Sequence, residues 1–393
     1  MLSVEEALAR VLALVAPLPA EQVSLRGAAG RVLAMQAIAL RDQPPFAAAA
    51  MDGYAVSGPP QPGARYTVVG EAGAGHAYLG RILPEQAVRI FTGAPVPAGA
   101  NHVVIQEDVA RSGTTITLGG KLDPGDNIRP AGSDFWRGSS LAAPRRLSPH
   151  DLALLAAMNL PMIHVHRRPV VAIIATGDEL VMPGETPRAD QIIASNSFAL
   201  AAMAEAEGAE VRLLPIAPDT EAGLRTVLEL AQGADLIVTI GGASVGDHDL
   251  VARVAEAMGM ERAFYKIAMR PGKPLMAGRL RGTPMLGLPG NPVSSIVCGH
   301  LFLLPALRAM QGLTDVAPRY HRAQLCAPLD ANGPRAHYMR ARLEPGPGLP
   351  GITAFSRQDS ALLSVLSQAN ALLFRPIGDP ARNLGDTVLY LVA

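Results

Sequence analysis

The run Val170-Val171-Ala172-Ile173-Ile174-Ala175 leads directly into Thr176-Gly177-Asp178-Glu179, and this stretch opens a segment in which strand-like and helix-like patterns alternate. A short, uninterrupted apolar run bounded by glycine is typical of a strand buried on both faces. Further predicted strands are Val211–Ile216, Leu236–Ile240, Pro274–Ala277 and Met285–Leu288, and the predicted helices are Ser197–Glu207, Thr220–Ala231, Asp249–Met258 and a long one from Asn291 to about Gln311. This alternation predicts a doubly wound, mostly parallel α/β sheet.

The sequence changes character on both sides of this segment. Residues 41–138 are rich in Gly and Pro and carry short β-type runs, which predicts an all-β domain. Helical patterns at 1–19 and 148–160 flank it, so this β region is predicted to be an insertion. Residues 319–393 return to short β-type runs and predict a small β-barrel or sandwich.

Composition excludes several classes of protein. The 34 basic and 34 acidic residues give a net charge of zero, which offers no case for binding nucleic acid or an anionic membrane. The two cysteines, Cys298 and Cys326, argue against a disulfide scaffold and a cysteine zinc site. No uncharged apolar run reaches the roughly 18 residues of a membrane span. The N-terminus is acidic, with Ser3 and Glu6 spaced as a capping box, so we expect a cytoplasmic protein without a signal peptide.

Polar residues follow the predicted strands at the point where each strand ends. Ligands of open α/β sheets bind outside the carboxyl ends of the strands, so these residues define one predicted site. They are Thr176, Gly177, Asp178 and Glu179, then Asp219, then Gly241, Gly242, Ser244, Gly246, Asp247 and Asp249, then Pro289, Gly290, Asn291 and Pro292.

Several of these residues allow a structural interpretation beside a functional one. In the structural interpretation, Asn291 is an N-cap and Pro292 is the first helical residue. In the functional interpretation, the same helix start faces a phosphate. Asp219 and Asp249 are plain helix caps, or with Glu179 they hold a divalent cation such as Mg²⁺.

Two further features carry the same ambiguity. Gly241-Gly242 is a tight turn or a backbone nest for an oxyanion. Lys266, Arg270 and Lys273 are solvated if taken singly, but together beside Pro271-Gly272 they favour an anion clamp.

One motif predicts different chemistry. Gly242-Ala243-Ser244-Val245-Gly246 matches the G-x-S-x-G nucleophile elbow, which would make the chain a serine hydrolase with His300, His321 or His337 as the base. His300 lies in the middle of the long predicted helix, and the other two lie in the C-terminal β region. No G-x-G-x-x-G follows the first strand of the α/β segment and no G-x-x-x-x-G-K-[ST] occurs in the sequence, which removes support for a dehydrogenase or a P-loop NTPase.

Six ordered motifs give the chain a close resemblance to one family. The motifs are Ala50-Met51-Asp52-Gly53-Tyr54-Ala55-Val56, Thr92-Gly93-Ala94-Pro95-Val96-Pro97, Thr176-Gly177-Asp178-Glu179-Leu180, Gly241-Gly242-Ala243-Ser244-Val245-Gly246, Arg270-Pro271-Gly272-Lys273-Pro274 and Leu288-Pro289-Gly290-Asn291-Pro292-Val293-Ser294. With these motifs the chain resembles the molybdopterin molybdenumtransferases (MoeA and the E domain of gephyrin) over essentially its full length.

The resemblance implies a homodimer of four-domain subunits. On this chain it places a molybdopterin-binding α/β domain at 1–19 and 169–318, a small linking domain at 20–40 and 139–168, the inserted β domain at 41–138 and a C-terminal β domain at 319–393. It also implies an enzyme that inserts molybdate into adenylyl-molybdopterin in a Mg²⁺-dependent step that releases AMP and molybdenum cofactor. The adenylyltransferase that makes this precursor is an expected partner.

The resemblance further implies an active site between the α/β domain of one subunit and the inserted domain of the other. The α/β side offers Glu179, Asp219, Asp249, Lys266, Arg270, Lys273, Pro289, Pro292 and Ser294, the inserted domain offers Asp52, Thr92 and Asp134, and the C-terminal domain offers Ser360. Arg270 occupies a position where some relatives have lysine. Arginine keeps the positive charge and adds a planar guanidinium group that can bind an oxyanion through two N–H groups.

A scaffold protein of the same fold is the alternative function. Extra linker or binding modules would favour it, and this sequence shows none.

Overall fold

A six-stranded mixed sheet forms the centre of the α/β region in the computed structural model, which describes residues 1–242, 250–346 and 348–393. The strands lie in the order Glu210–Leu213, Val170–Ala175, Leu236–Ile240, Thr283–Leu288, Met276–Leu280 and Met260–Tyr265. Neighbours among the first four strands pair in parallel, and the last two strands join antiparallel. The predicted mostly parallel sheet is therefore confirmed.

Helices cover both faces of this sheet, as a doubly wound fold requires. One face packs against Val4–Leu12, Asn196–Ala206, Pro292–Cys298 and Leu304–Met310. The other packs against Glu221–Leu230 and Leu250–Ala257. The Ser3–Glu6 capping box forms as predicted and starts the first helix. By length and composition Pro292–Met310 could cross a membrane, but 72% of its apolar window is buried inside the protein, so it is a core helix.

Several elements differ from the sequence prediction. The strand predicted at Pro274–Ala277 is Met276–Leu280, and the strand predicted at Val211–Ile216 is Glu210–Leu213. Met260–Tyr265 was not predicted as a strand, because it is an edge strand with Glu261 and Arg262 exposed and a bulge between Arg262 and Phe264. The long helix that begins at Pro292 is interrupted by a π-helical segment, Gly299–Leu303, between its two α-helical parts.

The segments around the inserted region form a small unit of their own. A four-stranded sheet has the order Ala20–Ser24, Met162–His166, Val32–Leu33 and Arg145–Arg146, and Ala37–Ile38 pairs with Ser140–Leu141. The capped helix Pro149–Ala157 and the short turn Leu25–Gly27 pack beside them.

The inserted region is all-β, as predicted. Its six-stranded sheet has the order His102–Ile105, Gly53–Val56, Gln86–Ile90, Arg65–Ala72, Thr115–Leu118 and Val109–Ser112. Ala48–Ala49 pairs with Ile128–Arg129, and Gln106–Asp108 forms a 3₁₀ turn.

The C-terminal region is a closed five-stranded barrel rather than a sandwich. Its strands follow the order Ala336–Glu344, Gly351–Ala354, His321–Leu325, Thr387–Val392 and Ala371–Arg375, and the last pairs again with the first. The strand Met269–Arg270 of the α/β region adds in parallel to Ala336–Glu344. Leu363–Leu366 is a short helix, and Leu180–Val181 pairs with Ile192–Ile193. The multi-domain α/β-plus-β fold is thus confirmed, whereas the residue boundaries of the four domains stay a prediction.

Candidate active site

A cavity of about 920 Å³ opens at the carboxyl ends of the parallel strands. It lies at the junction of Val170–Ala175 and Leu236–Ile240, whose following helices pack on opposite faces of the sheet. Such a switch point is where open α/β sheets bind ligands. The predicted site residues that line the cavity are Thr176, Gly177, Glu179, Asp219, Gly241, Gly242, Pro289, Gly290, Asn291 and Pro292.

Gly241 and Gly242 bring bare backbone to the wall of this cavity. Both have left-handed φ angles, 92° and 64°. A Cβ atom at Gly241 would lie 2.7 Å from the carbonyl oxygen of Thr176, so a side chain would collide with the neighbouring strand end. The position therefore requires glycine, and the cavity wall is main chain there.

The helix that begins at Pro292 presents its first turn to the same cavity. Asn291 is the N-cap residue by position, but its side chain makes no capping hydrogen bond. The Asn196 side-chain amide donates to the Gly290 carbonyl oxygen at 2.7 Å, and the Val293 N–H donates to the Ser360 carbonyl oxygen at 3.0 Å. The helix start is therefore tied to the C-terminal region, and Ala361 lines the cavity.

Glu179 and Asp219 supply the acidic side chains of the cavity lining, and both are exposed. The adjacent helix, Glu221–Leu230, is capped by the Thr220 hydroxyl, so the interpretation of Asp219 as its cap is wrong. The Asp219 N–H donates to an Asp178 carboxylate oxygen at 3.0 Å, which joins the two strand-end loops. These carboxylates are oxygen donors of the kind that Mg²⁺ takes.

The third predicted metal ligand, Asp249, lies outside the described residues, as does Ser244. Within residues 1–242, 250–346 and 348–393, no cluster of three His, Cys, Asp or Glu side chains could hold a metal ion. The metal site therefore stays a prediction, and the nucleophile elbow has no structural description.

The predicted cations do not line the cavity, although Pro274, next to Lys273, does. Lys266 has a φ of 71°, and its Nζ lies 4.9 Å from the centre of the Tyr265 ring. Arg270 is exposed and Lys273 is half-buried. The cationic side chain that does line the described part of the cavity is Arg253, which no sequence pattern marked as a site residue.

Beside the cavity lies a group of two arginines and a neutral histidine, which we call the cationic cluster: Arg270, His337 and Arg340. Arg340 is 0% exposed, and its Nη2 donates to the Asp359 carbonyl oxygen at 2.8 Å. Among the residues that the structure describes, its Nε and Nη1 have no hydrogen-bond partner, and neither has Nε2 of the buried His337. Arg270 pairs in register with His337 across the junction of the two regions.

The electrostatics of the cationic cluster follow from burial and like charge. Burial and the neighbouring guanidinium groups, Arg270 first among them, lower the pKa of His337 to about 4. Burial also lowers the pKa of Arg340, and Arg270 adds to that effect. Buried donors without partners are rare in folded proteins, and a group of them favours a small anion as the missing partner.

In the inserted region the structure brings together Asp52 and Thr92. The Thr92 N–H and hydroxyl both donate to Asp52 Oδ1, each at 2.7 Å, and these bonds lower the pKa of the carboxyl group. Asp134 is exposed, and its N–H donates to the Gln43 carbonyl oxygen at 2.9 Å. None of the three lines the cavity of its own chain.

Curated relatives share this architecture over nearly the whole chain. A Nostoc protein named molybdopterin molybdenumtransferase is 35% identical over 385 residues, which span 94% of this chain and 88% of that protein. The chain belongs to the molybdopterin molybdenumtransferase family. A Haemophilus influenzae molybdopterin molybdenumtransferase is 36% identical over 79% of this chain and 78% of its own. Molybdopterin molybdenumtransferase 2 of Mycobacterium tuberculosis is 35% identical over 90% of each chain.

Family models and a solved structure agree with this membership. The MoeA N-terminal region (domain I and II) matches residues 2–159, the probable molybdopterin binding domain matches residues 172–309, and the MoeA C-terminal region (domain IV) matches residues 322–393. The molybdopterin biosynthesis MoeA protein of Pyrococcus horikosii superposes with a TM-score of 0.84 at 28% identity, covering 100% of this chain and 99% of that one. The resemblance inferred from the six motifs is confirmed.

In this member of the molybdenumtransferase family, sequence reasoning missed two arginines at the site. Arg340 lies in the long barrel strand Ala336–Glu344, and its burial depends on how the barrel packs against the α/β region. Arg253 lies on an amphipathic helix, where an arginine ordinarily faces solvent. Neither residue belongs to a motif that could have marked it.

Proposed function

We propose that this chain inserts molybdate into adenylyl-molybdopterin, releasing AMP and forming molybdenum cofactor. Family membership supports this reaction class. The observation that carries the proposal is the adjacency of two anion-accepting features: a switch-point cavity with a main-chain wall, and a cationic cluster with unpartnered donors. A bulky phosphate-bearing substrate and a small oxyanion are the two reactants that such a pair would take.

The cavity is the proposed site for adenylyl-molybdopterin. Its volume of about 920 Å³ is near the upper end of ordinary ligand pockets, about 300–1,000 Å³, as the large adenylylated pterin requires. Gly241, Gly242 and the helix start at Asn291-Pro292 would approach the phosphates, with Pro289 shaping the wall. Ser244, which lies outside the described residues, is a further proposed substrate contact.

The cationic cluster is the proposed site for molybdate, a tetrahedral dianion. Arg340 and His337 have buried nitrogen atoms without partners there, and Arg270 offers a planar fork from the adjoining strand. Lys266 and Lys273 would add positive charge from the same segment. Ser294, which is buried, and Ser360, whose carbonyl oxygen accepts from Val293, would add hydroxyl groups between this cluster and the cavity.

Mg²⁺ is the proposed cofactor, held by Glu179, Asp219 and Asp249. The first two fit because they are exposed carboxylates in the cavity lining, and no basic side chain pairs with either in the part of the chain that the structure describes. When bound, Mg²⁺ would neutralise the charge of the phosphoanhydride. The residues of the chain would hold the substrate so that the bond between the two phosphates is accessible and AMP can leave.

We also propose a homodimer in which the inserted domain of one subunit completes the site of the other. Asp52, Thr92 and Asp134 carry groups that suit substrate contact, but none of them lines the cavity of its own chain. A second subunit would bring them to it. A cytoplasmic location and the adenylyltransferase as partner fit the same reaction, since that enzyme supplies the precursor.

One experiment tests the proposed reaction. Purified protein is incubated with adenylyl-molybdopterin, Mg²⁺ and molybdate, and the products are measured as AMP and as reconstituted activity of an apo-molybdoenzyme. We expect AMP release that depends on both molybdate and Mg²⁺. Absence of AMP release with all components present would refute the proposal.

A further inference from the structure

The charges on the cavity lining do not match the substrate that the proposed function places there. The titratable side chains among the described lining residues are Glu179, Asp219 and Arg253. Two carboxylates alone would repel a nucleotide phosphate, and the cations of the cationic cluster lie outside the lining. Within that lining, Arg253 is therefore the side chain that can attract an anion.

Packing of two helices places Arg253 at the cavity. Arg253 lies on Leu250–Ala257, and Leu250, three residues earlier on the same helix face, also lines the cavity. The neighbouring helix Glu221–Leu230 brings Glu221 to it, with Arg253 Nη2 3.2 Å from Glu221 Oε1. The guanidinium is thus held at the mouth of the cavity by a partner on another helix.

The ion pair leaves the guanidinium free to exchange partners. The Arg253 side chain is 58% exposed and that of Glu221 is 69% exposed, and exposed ion pairs contribute little to stability. A phosphate accepts two parallel N–H bonds from a guanidinium, which is a better match than one carboxylate oxygen at 3.2 Å. A bound phosphate can therefore replace Glu221 at small cost.

From this geometry we infer that Arg253 binds the phosphate of the adenylyl group, and that Glu221 positions Arg253 before substrate arrives. The inference rests on the proposed function for the identity of the nucleotide. It assigns the AMP half of the substrate to the end of the cavity near Asp219 and Arg253. Molybdate would then approach from the opposite end, where Pro274 leads to the cationic cluster.

The test compares the binding of AMP and adenosine by calorimetry, in EDTA so that no divalent cation contributes. Arg253→Gln should weaken AMP binding about tenfold, the effect of losing one charge-assisted contact, and leave adenosine binding unchanged. Arg253→Lys should recover part of the loss, because it keeps the charge but not the fork.

Two control variants isolate the role of Arg253. Arg225→Gln removes an exposed arginine from the neighbouring helix and should leave both affinities unchanged. Glu221→Gln should weaken AMP binding, but by less than Arg253→Gln does, because it keeps the guanidinium and removes only the partner that positions it. Unchanged AMP binding by Arg253→Gln, or an equal loss of adenosine binding, would overturn the inference.

AMP release by the wild-type protein separates this inference from the proposed function. Suppose that Arg253→Gln loses AMP binding but keeps adenosine binding, while the wild-type protein releases no AMP when molybdate is added. The phosphate site then stands and the proposed reaction fails. If the wild-type protein releases AMP but Arg253→Gln binds AMP normally, the reaction stands and the role of Arg253 is refuted.

Discussion

Thr92 directs its backbone N–H and its hydroxyl to the same oxygen of Asp52, each at 2.7 Å. These two bonds fix the carboxylate and lower its pKa. Asp52 is thus held in one orientation with its second oxygen left for another partner. In the proposed dimer that partner is substrate bound to the neighbouring subunit.

The first prediction concerns the Thr92 hydroxyl. Thr92→Val keeps the hydrogen bond from the backbone N–H to Asp52 and removes the one from the hydroxyl. The pKa of Asp52 should therefore rise toward its usual value. If the ionised carboxylate is needed, the acid limb of the pH–activity profile should move to higher pH, and AMP release near neutrality should fall about tenfold through lost orientation. Thr92→Ser should behave as wild type. An unchanged profile in Thr92→Val would contradict a role for this pair.

The second prediction tests whether the site is shared between subunits. At a Mg²⁺ concentration that half-saturates the wild-type protein, Asp52→Asn and Glu179→Gln should each lose most AMP release. When the two variants are unfolded and refolded together in equal amounts, about half of the dimers contain one subunit of each variant. Each such dimer has one intact site of two, so the sample should regain about a quarter of wild-type activity. A site built within one chain would regain nothing, so a mixture as inactive as its components would refute the shared site.

The third prediction concerns Mg²⁺. Glu179→Gln and Asp219→Asn should each raise the Mg²⁺ concentration needed for half-maximal AMP release about tenfold, because each removes one charged oxygen ligand. Activity should recover in part at high Mg²⁺. Glu185→Gln changes a carboxylate outside the cavity and serves as the matched control. A normal Mg²⁺ dependence in both test variants would exclude these two residues as ligands.

The fourth prediction concerns Arg340. Arg340→Met removes a buried charge with two unpartnered nitrogen atoms, so the free energy of unfolding should stay the same or increase by about 1 kcal/mol. The KM for molybdate should rise at least about tenfold while AMP affinity is unchanged. Arg342→Met, at an exposed position on the same strand, is the control. Normal molybdate dependence in Arg340→Met would refute the oxyanion role of the cationic cluster.

Sequence patterns predicted the parts of this fold that depend on local periodicity. The strand Val170–Ala175 has the predicted bounds, because an uninterrupted apolar run is typical of a buried strand. The helix Asn196–Ala206 lies within one residue of its prediction, because Gly208 marks its end. The edge strand Met260–Tyr265 lacks such a pattern, since its bulge breaks the alternation of faces. Sequence patterns therefore fail to predict edge strands in which buried and exposed residues do not alternate.

The same distinction between local patterns and contacts of distant segments applies to the candidate site. Glu179 and Gly241 could be placed together because both follow buried strands, and the carboxyl ends of parallel strands meet at one edge. Arg340 could not, because it approaches Arg270 only through the pairing of Met269–Arg270 with the barrel strand. Its burial depends on contacts between distant segments, which no local pattern records.

The fifth prediction follows from the pKa of His337, which burial and Arg270 lower to about 4. The unfolded chain takes up a proton near the ordinary pKa of 6.5, whereas the folded protein does not, so stability falls as pH decreases below that value. By pH 5 the loss from this residue should be on the order of 2 kcal/mol. His337→Asn should therefore show a smaller fall in melting temperature between pH 7 and pH 5 than the wild-type protein.

An oxyanion bound to the cationic cluster should change this acid sensitivity. Its negative charge favours protonated His337 and raises the pKa, so saturating molybdate should reduce the fall in melting temperature of the wild-type protein but not of His337→Asn. His321→Asn, at an exposed position in the same barrel, should respond like the wild type. If molybdate protected His337→Asn and the wild-type protein equally, the anion would lie away from His337, and the proposed molybdate site would have to exclude this residue.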